Sequence, residues 1–207
     1  MSLIDISQPM SADLAVFPGD TPFSIRKVMS MSDGMSCDVS TITTTLHAGT
    51  HSDAPNHFVA GAPGIDEVPL ESYFGPCRVV ERIGNGPITA DEVRSWKPMA
   101  QMRYLVRTRA SVDPSEFPAE FAHFTAESAA VLADAGIALI GLDTPSMDHQ
   151  SSQTLDAHKT LLGAGIAILE NLDLSHVTPS SYELMAFPLR ISGADAAPVR
   201  AVLRTLF

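Results

Sequence analysis

Apolar residues along this chain fall into two rhythms, and the switch between them is clearest in the second half. "ESAAVLADAGIALIGLD" (residues 127–143) starts with helix-spaced apolar positions and, past Gly136, becomes an almost unbroken apolar run. "DAHKTLLGAGIAILENLD" (156–173) repeats the arrangement through Gly165, with the AGIA tetrapeptide recurring 29 residues later. Each glycine can end a helix in the left-handed conformation that other residues avoid. The Ile- and Leu-rich run that follows fits a strand buried on both faces. Two such strands joined by a helical crossover are predicted to lie parallel.

The first eighty residues are read as strands and loops. "TITTTL" (Thr41 to Leu46) is a β-branched run leading straight into a group of histidines. "CRVVERI" (Cys77 to Ile83) is a second strand candidate, and "MRYLVRT" (Met102 to Thr108) a buried one. Thr89 followed by Glu92 makes a capping-box pattern, so a short helix is predicted from Ala90 toward Trp96, stopping before Pro98. "YELMAFPLRI" is strand-like, and the tail "PVRAVLRTLF" is ambiguous. The pattern predicts a single α/β domain over residues 1–207 with a mixed sheet.

Composition adds limits. The chain is 45% hydrophobic and 18% charged, enough to bury a core. Its formal charge of -11 and lack of basic runs argue against nucleic acid or an anionic membrane surface as partner. The N-terminus has no signal-peptide pattern, no apolar run is long enough to span a bilayer, and Cys37 and Cys77 form no CxxC pair. A cytoplasmic protein with two structural thiols is expected. Trp96 and the methionines from Met29 to Met35 are read as packing groups.

The chemistry concentrates in "HAGTHSDAPNHF" (47–58), where three of the seven histidines fall within eleven positions. Imidazole and carboxylate are zinc ligands, and they also suit manganese or iron. A helix would point Asp53 away from His47 and His51, and Gly49 and Pro55 oppose helix. A straight strand keeps the even spacing on one face but puts the His47 and His51 Cα atoms about 13 Å apart. A bend at Gly49 resolves this, bringing His51 and Asp53 round to the metal held by His47, while Pro55 directs His57. His158, on a predicted helix, and Glu170, interrupting an apolar strand, are the candidates for further ligands. Each also reads as an ordinary helix-surface histidine or strand-end glutamate. His123, His149 and His176 read as surface residues.

At these residues the chain resembles a known family. "HAGTHSDAPNHF" is similar to the HxGxHxDxPxH signature of the cyclase-type metal-dependent hydrolases, and within them the likeness is to the bacterial arylformamidases. "VFPGDTPF", "LDTPSMD", "SQTLDAH", "AILENLDL" and "PVRAVLR" extend it over nearly the whole chain. The resemblance implies a swivelling β/β/α fold, a homodimer and two divalent metal ions per subunit, usually Zn2+. One ion would sit on His47, His51 and Asp53, the other on Asp53, His158 and Glu170, with Asp53 bridging. His57 matches the family's proton donor or acceptor. Phe17 falls where an aromatic residue, often tryptophan, meets the substrate. The implied reaction is hydrolysis of N-formyl-L-kynurenine in tryptophan breakdown. A ring-opening hydrolase of the isatin-hydrolase kind and a non-catalytic metal-binding protein are the alternatives.

Overall fold

A computed structural model describes residues 1–206. Thirteen strands appear in chain order: β1 (Leu3–Asp5), β2 (Ser24–Met29), β3 (Val39–Thr43), β4 (His51–Asp53), β5 (Phe74–Glu81), β6 (Gly86–Ile88) and β7 (Arg103–Arg107). Then come β8 (Ala122–Phe124), β9 (Leu139–Leu142), β10 (Ala167–Leu169), β11 (Ser181–Met185), β12 (Ala196–Pro198) and β13 (Val202–Thr205). Three α-helices intervene: α1 (Ala90–Ser95), α2 (Ala126–Ala135) and α3 (Asp156–Gly163).

Seven strands form one sheet in the order β1-β13-β11-β5-β7-β9-β10. The strands β5, β7, β9 and β10 are parallel, and β11, β13 and β1 add on antiparallel. The mixed α/β sheet expected from the two rhythms is therefore present. Alternation sorts the side chains between two layers. Tyr104, Val106, Ile140, Leu142 and Ile168 pack with Leu132 and Leu161 of the helices. Leu105, Leu139 and Leu169 point the other way, to Tyr73, Leu172 and Leu184. Gly141 breaks the apolar run because a Cβ there would stand 2.6 Å from Leu105 Cδ2 and 2.8 Å from Leu172 Cδ1.

The local signals act as expected. In α1, Thr89 N–H donates to Glu92 Oε2 (2.7 Å) while Glu92 N–H donates to Thr89 Oγ1 (3.3 Å), a closed capping box. Gly136 ends α2 with φ 64°, and Gly165 follows α3 with φ 75°. Trp96 is buried beside Phe124.

Several expectations shift. The "TITTTL" strand is β3, which starts at Val39 and stops at Thr43 instead of running into His47. Among the described residues it pairs only with β2, and every β3 residue is exposed. Met31 and Met35, expected to pack, are 60% and 46% exposed beside that ribbon, because no further layer covers it among the described residues. Cys77 is buried, but Cys37 is exposed and so is not a core thiol. "YELMAFPLRI" supplies strand only to Met185, and the ambiguous tail forms β13, wedged between β1 and β11. The last residue of that tail, Phe207, lies outside the described residues.

Candidate metal centre

The carboxyl ends of the parallel strands set the position of the site, the usual place for ligands in such sheets. Thr108 and Arg109 follow β7, the segment 143–148 follows β9, and Glu170 follows β10. The histidine run reaches them through β4, whose His51 exchanges backbone hydrogen bonds with Glu170 (3.3 and 3.1 Å). On its other edge β4 pairs with β12, Asp53 opposite Ala196. The bend expected at Gly49 is present, with φ 62°, and a β4 of only three residues follows it.

The structure brings all five predicted ligand residues together. Ligand atoms of His47, His51 and Asp53 lie within 4.8 Å of one another, and so do those of Asp53, His158 and Glu170. Asp53 is common to both sets. Its Oδ1 stands 3.1 Å from His47 Nδ1 and 3.4 Å from His51 Nε2, and its Oδ2 is 3.5 Å from His158 Nε2. Glu170 spans the other side, 3.4 Å from His51 Nε2 and 3.0 Å from His158 Nε2. His51, Asp53, His158 and Glu170 are only 1–3% exposed.

Ring orientations are set by groups outside the cluster. His51 Nδ1 donates to Gly49 O (2.8 Å), and since a carbonyl can only accept, the Nε2 lone pair of the neutral ring faces inward. Asp148 does the same for His158, at 2.6 Å from its Nδ1. The same carboxylate accepts from the backbone N–H groups of Ala157 and His158 (both 3.0 Å). It thus caps α3, whose own N-cap residue, Leu155, has φ 52° and supplies no side-chain bond. His47 Nε2 meets Asp195 (3.0 Å), which also lies 3.6 Å from His57 Nδ1.

Two buried polar atoms here, His51 Nε2 and Asp53 Oδ1, have no hydrogen-bond partner. Burying such atoms unsatisfied is costly, and a cation between them removes the cost. The donor set, three imidazoles and two carboxylates, suits a divalent metal such as zinc. Electrostatics agree. Burial opposes charge on His51, but Asp53 and Glu170 outweigh it and raise the pKa to about 10. His158 is likewise raised to about 10 against burial, by Asp148, Glu170 and Asp53. A metal ion seated there would compete with protons for these imidazoles. His57 behaves oppositely: burial pushes it below its ordinary value, although Asp53 and Asp195 pull upward.

A pocket of about 530 Å³ opens above the cluster. Phe17, where the sequence predicts a substrate contact, lines it at 47% exposure and meets Phe117 edge-on (centroids 5.5 Å). His149, read as a surface residue, also lines the pocket, held near His123 (centroids 5.0 Å) by the fold of two distant segments. His176 is exposed, as expected. Sequence reasoning missed Asp148 and Asp195. The first lies in the quoted "LDTPSMD", ten residues before His158, and carried a faint signal; the second had none.

Comparison with known proteins follows the same lines. Residues 4–149 match the Cyclase family. The chain is similar to the kynurenine formamidase of Paracidovorax citrulli (strain AAC00-1), 41% identical over 208 residues, covering 98% of this chain and 96% of that protein. It is 43% identical over 205 residues to the kynurenine formamidase of Bordetella petrii, covering 99% and 98%. A solved potential metal-dependent hydrolase with cyclase activity superposes with a TM-score of 0.86 at 29% identity, covering 98% of this chain and 96% of that one. Isatin hydrolase A from Labrenzia aggregata shares the fold, with a TM-score of 0.85 at 22% identity, covering 98% and 93%.

Proposed function

This chain belongs to the Cyclase family, and we propose that within it the protein is a kynurenine formamidase, hydrolysing N-formyl-L-kynurenine to formate and L-kynurenine. The observation that carries the substrate is the 41–43% identity to two kynurenine formamidases over nearly the whole length. The geometry supports the reaction class. A ligand cluster with orphaned polar atoms forms the floor of a pocket large enough for an aromatic amino acid.

His47, His51 and Asp53 would hold one divalent ion, and Asp53, His158 and Glu170 a second, with Asp53 shared. When bound, the ions, which we take as zinc, supply positive charge that acidifies water and polarises the formyl carbonyl. The remaining work falls to the chain. His57 stands beside His47, ring centroids 4.3 Å apart, and burial lowers its pKa from the ordinary imidazole value, which favours the neutral ring. A neutral imidazole there can accept a proton from the attacking water and deliver it to the departing aniline nitrogen. Asp195, facing His57 Nδ1, orients that ring. Phe17 and Phe117 offer their faces and edges to the aryl ring of the substrate.

A cytoplasmic homodimer is part of the same proposal. Both cysteines are free, and no helix among the described residues is long and apolar enough to cross a membrane. Ile25, Val28, Val39 and Ile42 stand exposed on the β2–β3 ribbon, a surface that a second copy would cover. Purified protein assayed with N-formyl-L-kynurenine and with isatin, following loss of each ultraviolet band beside elemental analysis, tests the reading. Turnover of the formamide by metal-loaded protein is expected. Turnover of isatin alone, or undiminished activity after chelation, overturns it.

A further inference from the structure

Six carboxylates line the pocket, those of Asp20, Asp53, Asp113, Glu116, Glu170 and Asp195. Among the described residues only one lysine or arginine joins them, Arg109. Several cations outside the pocket are paired with carboxylates: Lys27 with Asp38, Arg82 with Glu92, Arg107 with Glu81 and Arg204 with Glu183. Arg109 forms no ion pair among the described residues. The nearby Asp113 is committed to its own loop, accepting from Ser115 N–H (2.9 Å) and Ser115 Oγ–H (2.6 Å).

The base of Arg109 is fixed although its side chain is free. Its backbone N–H donates to the buried Asp143 (3.0 Å), and the same carboxyl accepts from the N–H and hydroxyl of Thr108 (2.9 and 2.5 Å). The end of β7 is thereby held at the pocket wall. Arg109 is half-buried and feels the charge of Asp113 and Asp143, but with no ion pair among the described residues its guanidinium can bind a carboxylate through two parallel N–H donors.

Resting on the formamidase reading, we propose that Arg109 binds the α-carboxylate of the substrate and makes the pocket selective for aryl formamides that carry an anionic tail. Glu116, which also lines the pocket, offers the opposite charge to the α-ammonium. Arg109 is thus a specificity-determining residue, remote from the scissile bond.

The test compares two substrates on the metal-loaded enzyme: N-formyl-L-kynurenine and 2′-formamidoacetophenone, which keeps the formanilide and ring ketone but lacks the amino-acid tail. Arg109→Met is expected to raise KM for the first about 10- to 100-fold with kcat little changed, and to leave the second unaffected. Arg109→Lys should recover part of the loss. An equal fall for both substrates, or no change for either, overturns the assignment while the formamidase reading stands. If wild-type enzyme hydrolyses neither compound, the formamidase reading itself fails and the assignment goes with it.

Discussion

The floor and the mouth of the pocket are built on different terms. On the floor, His51, Asp53, His158 and Glu170 are nearly sealed from solvent, and each sits in or beside a regular element. Their backbones are paired, β4 with β12 and His51 with Glu170, and their rings are aimed by Gly49 O and Asp148. At the mouth, Phe17, Arg109 and Asp195 stand on loops, and Phe17 remains half open. The floor is preorganised to hold charge before any ligand arrives. At the mouth, Phe17 and Arg109 stand clear of that charge, whereas Asp195 reaches His47 at 3.0 Å. Under the proposed function, chemistry belongs to the floor and substrate choice to the mouth.

Breaking the floor should have the largest effect. Asp53→Asn removes the one carboxylate shared by both ligand groupings, so both ions are expected to leave and activity to vanish. Glu170→Gln should release one ion preferentially, giving about half the metal content by elemental analysis. Equal loss in the two variants would contradict a shared ligand.

His57→Ala lies between the two regions. Metal content should stay at the wild-type level while kcat falls about 10²- to 10⁴-fold, the usual worth of a positioned proton donor. Unchanged turnover would remove His57 from the mechanism. A smaller change is expected one layer behind the floor. Asp148→Asn can still accept one of the α3 N–H groups but no longer offers a charge to His158 Nδ1. Affinity for the ion on His158 should drop about 10- to 100-fold with the other ion retained, measured by competition with a chelator. Equal weakening of both ions would show that Asp148 acts through the whole fold.

Much of this was legible along the chain because it depends on near neighbours. Gly136 and Gly165 mark helix ends by their own backbone freedom, and Thr89 with Glu92 closes a box four residues long. The bend at Gly49 followed from spacing alone, since His47 and His51 cannot otherwise serve one ion. Asp195 was not legible. It reaches His47 across 148 residues only because β12 pairs with β4, and no local pattern encodes that pairing. The methionines beside β2 and β3 failed for a related reason: apolar character predicts burial only if some layer comes to cover it, and none does among the described residues.

By itself, then, the amino-acid order determined the alternating helices and parallel strands, the histidine run with its bend, and the ligand types that suit a divalent metal. These follow from periodicity, backbone freedom and donor chemistry, which act over a few residues. Tertiary structure brings His158 and Glu170 to Asp53, as the family resemblance implied. It alone decided that Asp148 and Asp195 stand behind the imidazoles and that Arg109 lines the pocket with no ion pair among the described residues. Side chains far apart in sequence meet only when strand pairing closes the sheet, and it is their shared burial, not their identity, that turns them into a site.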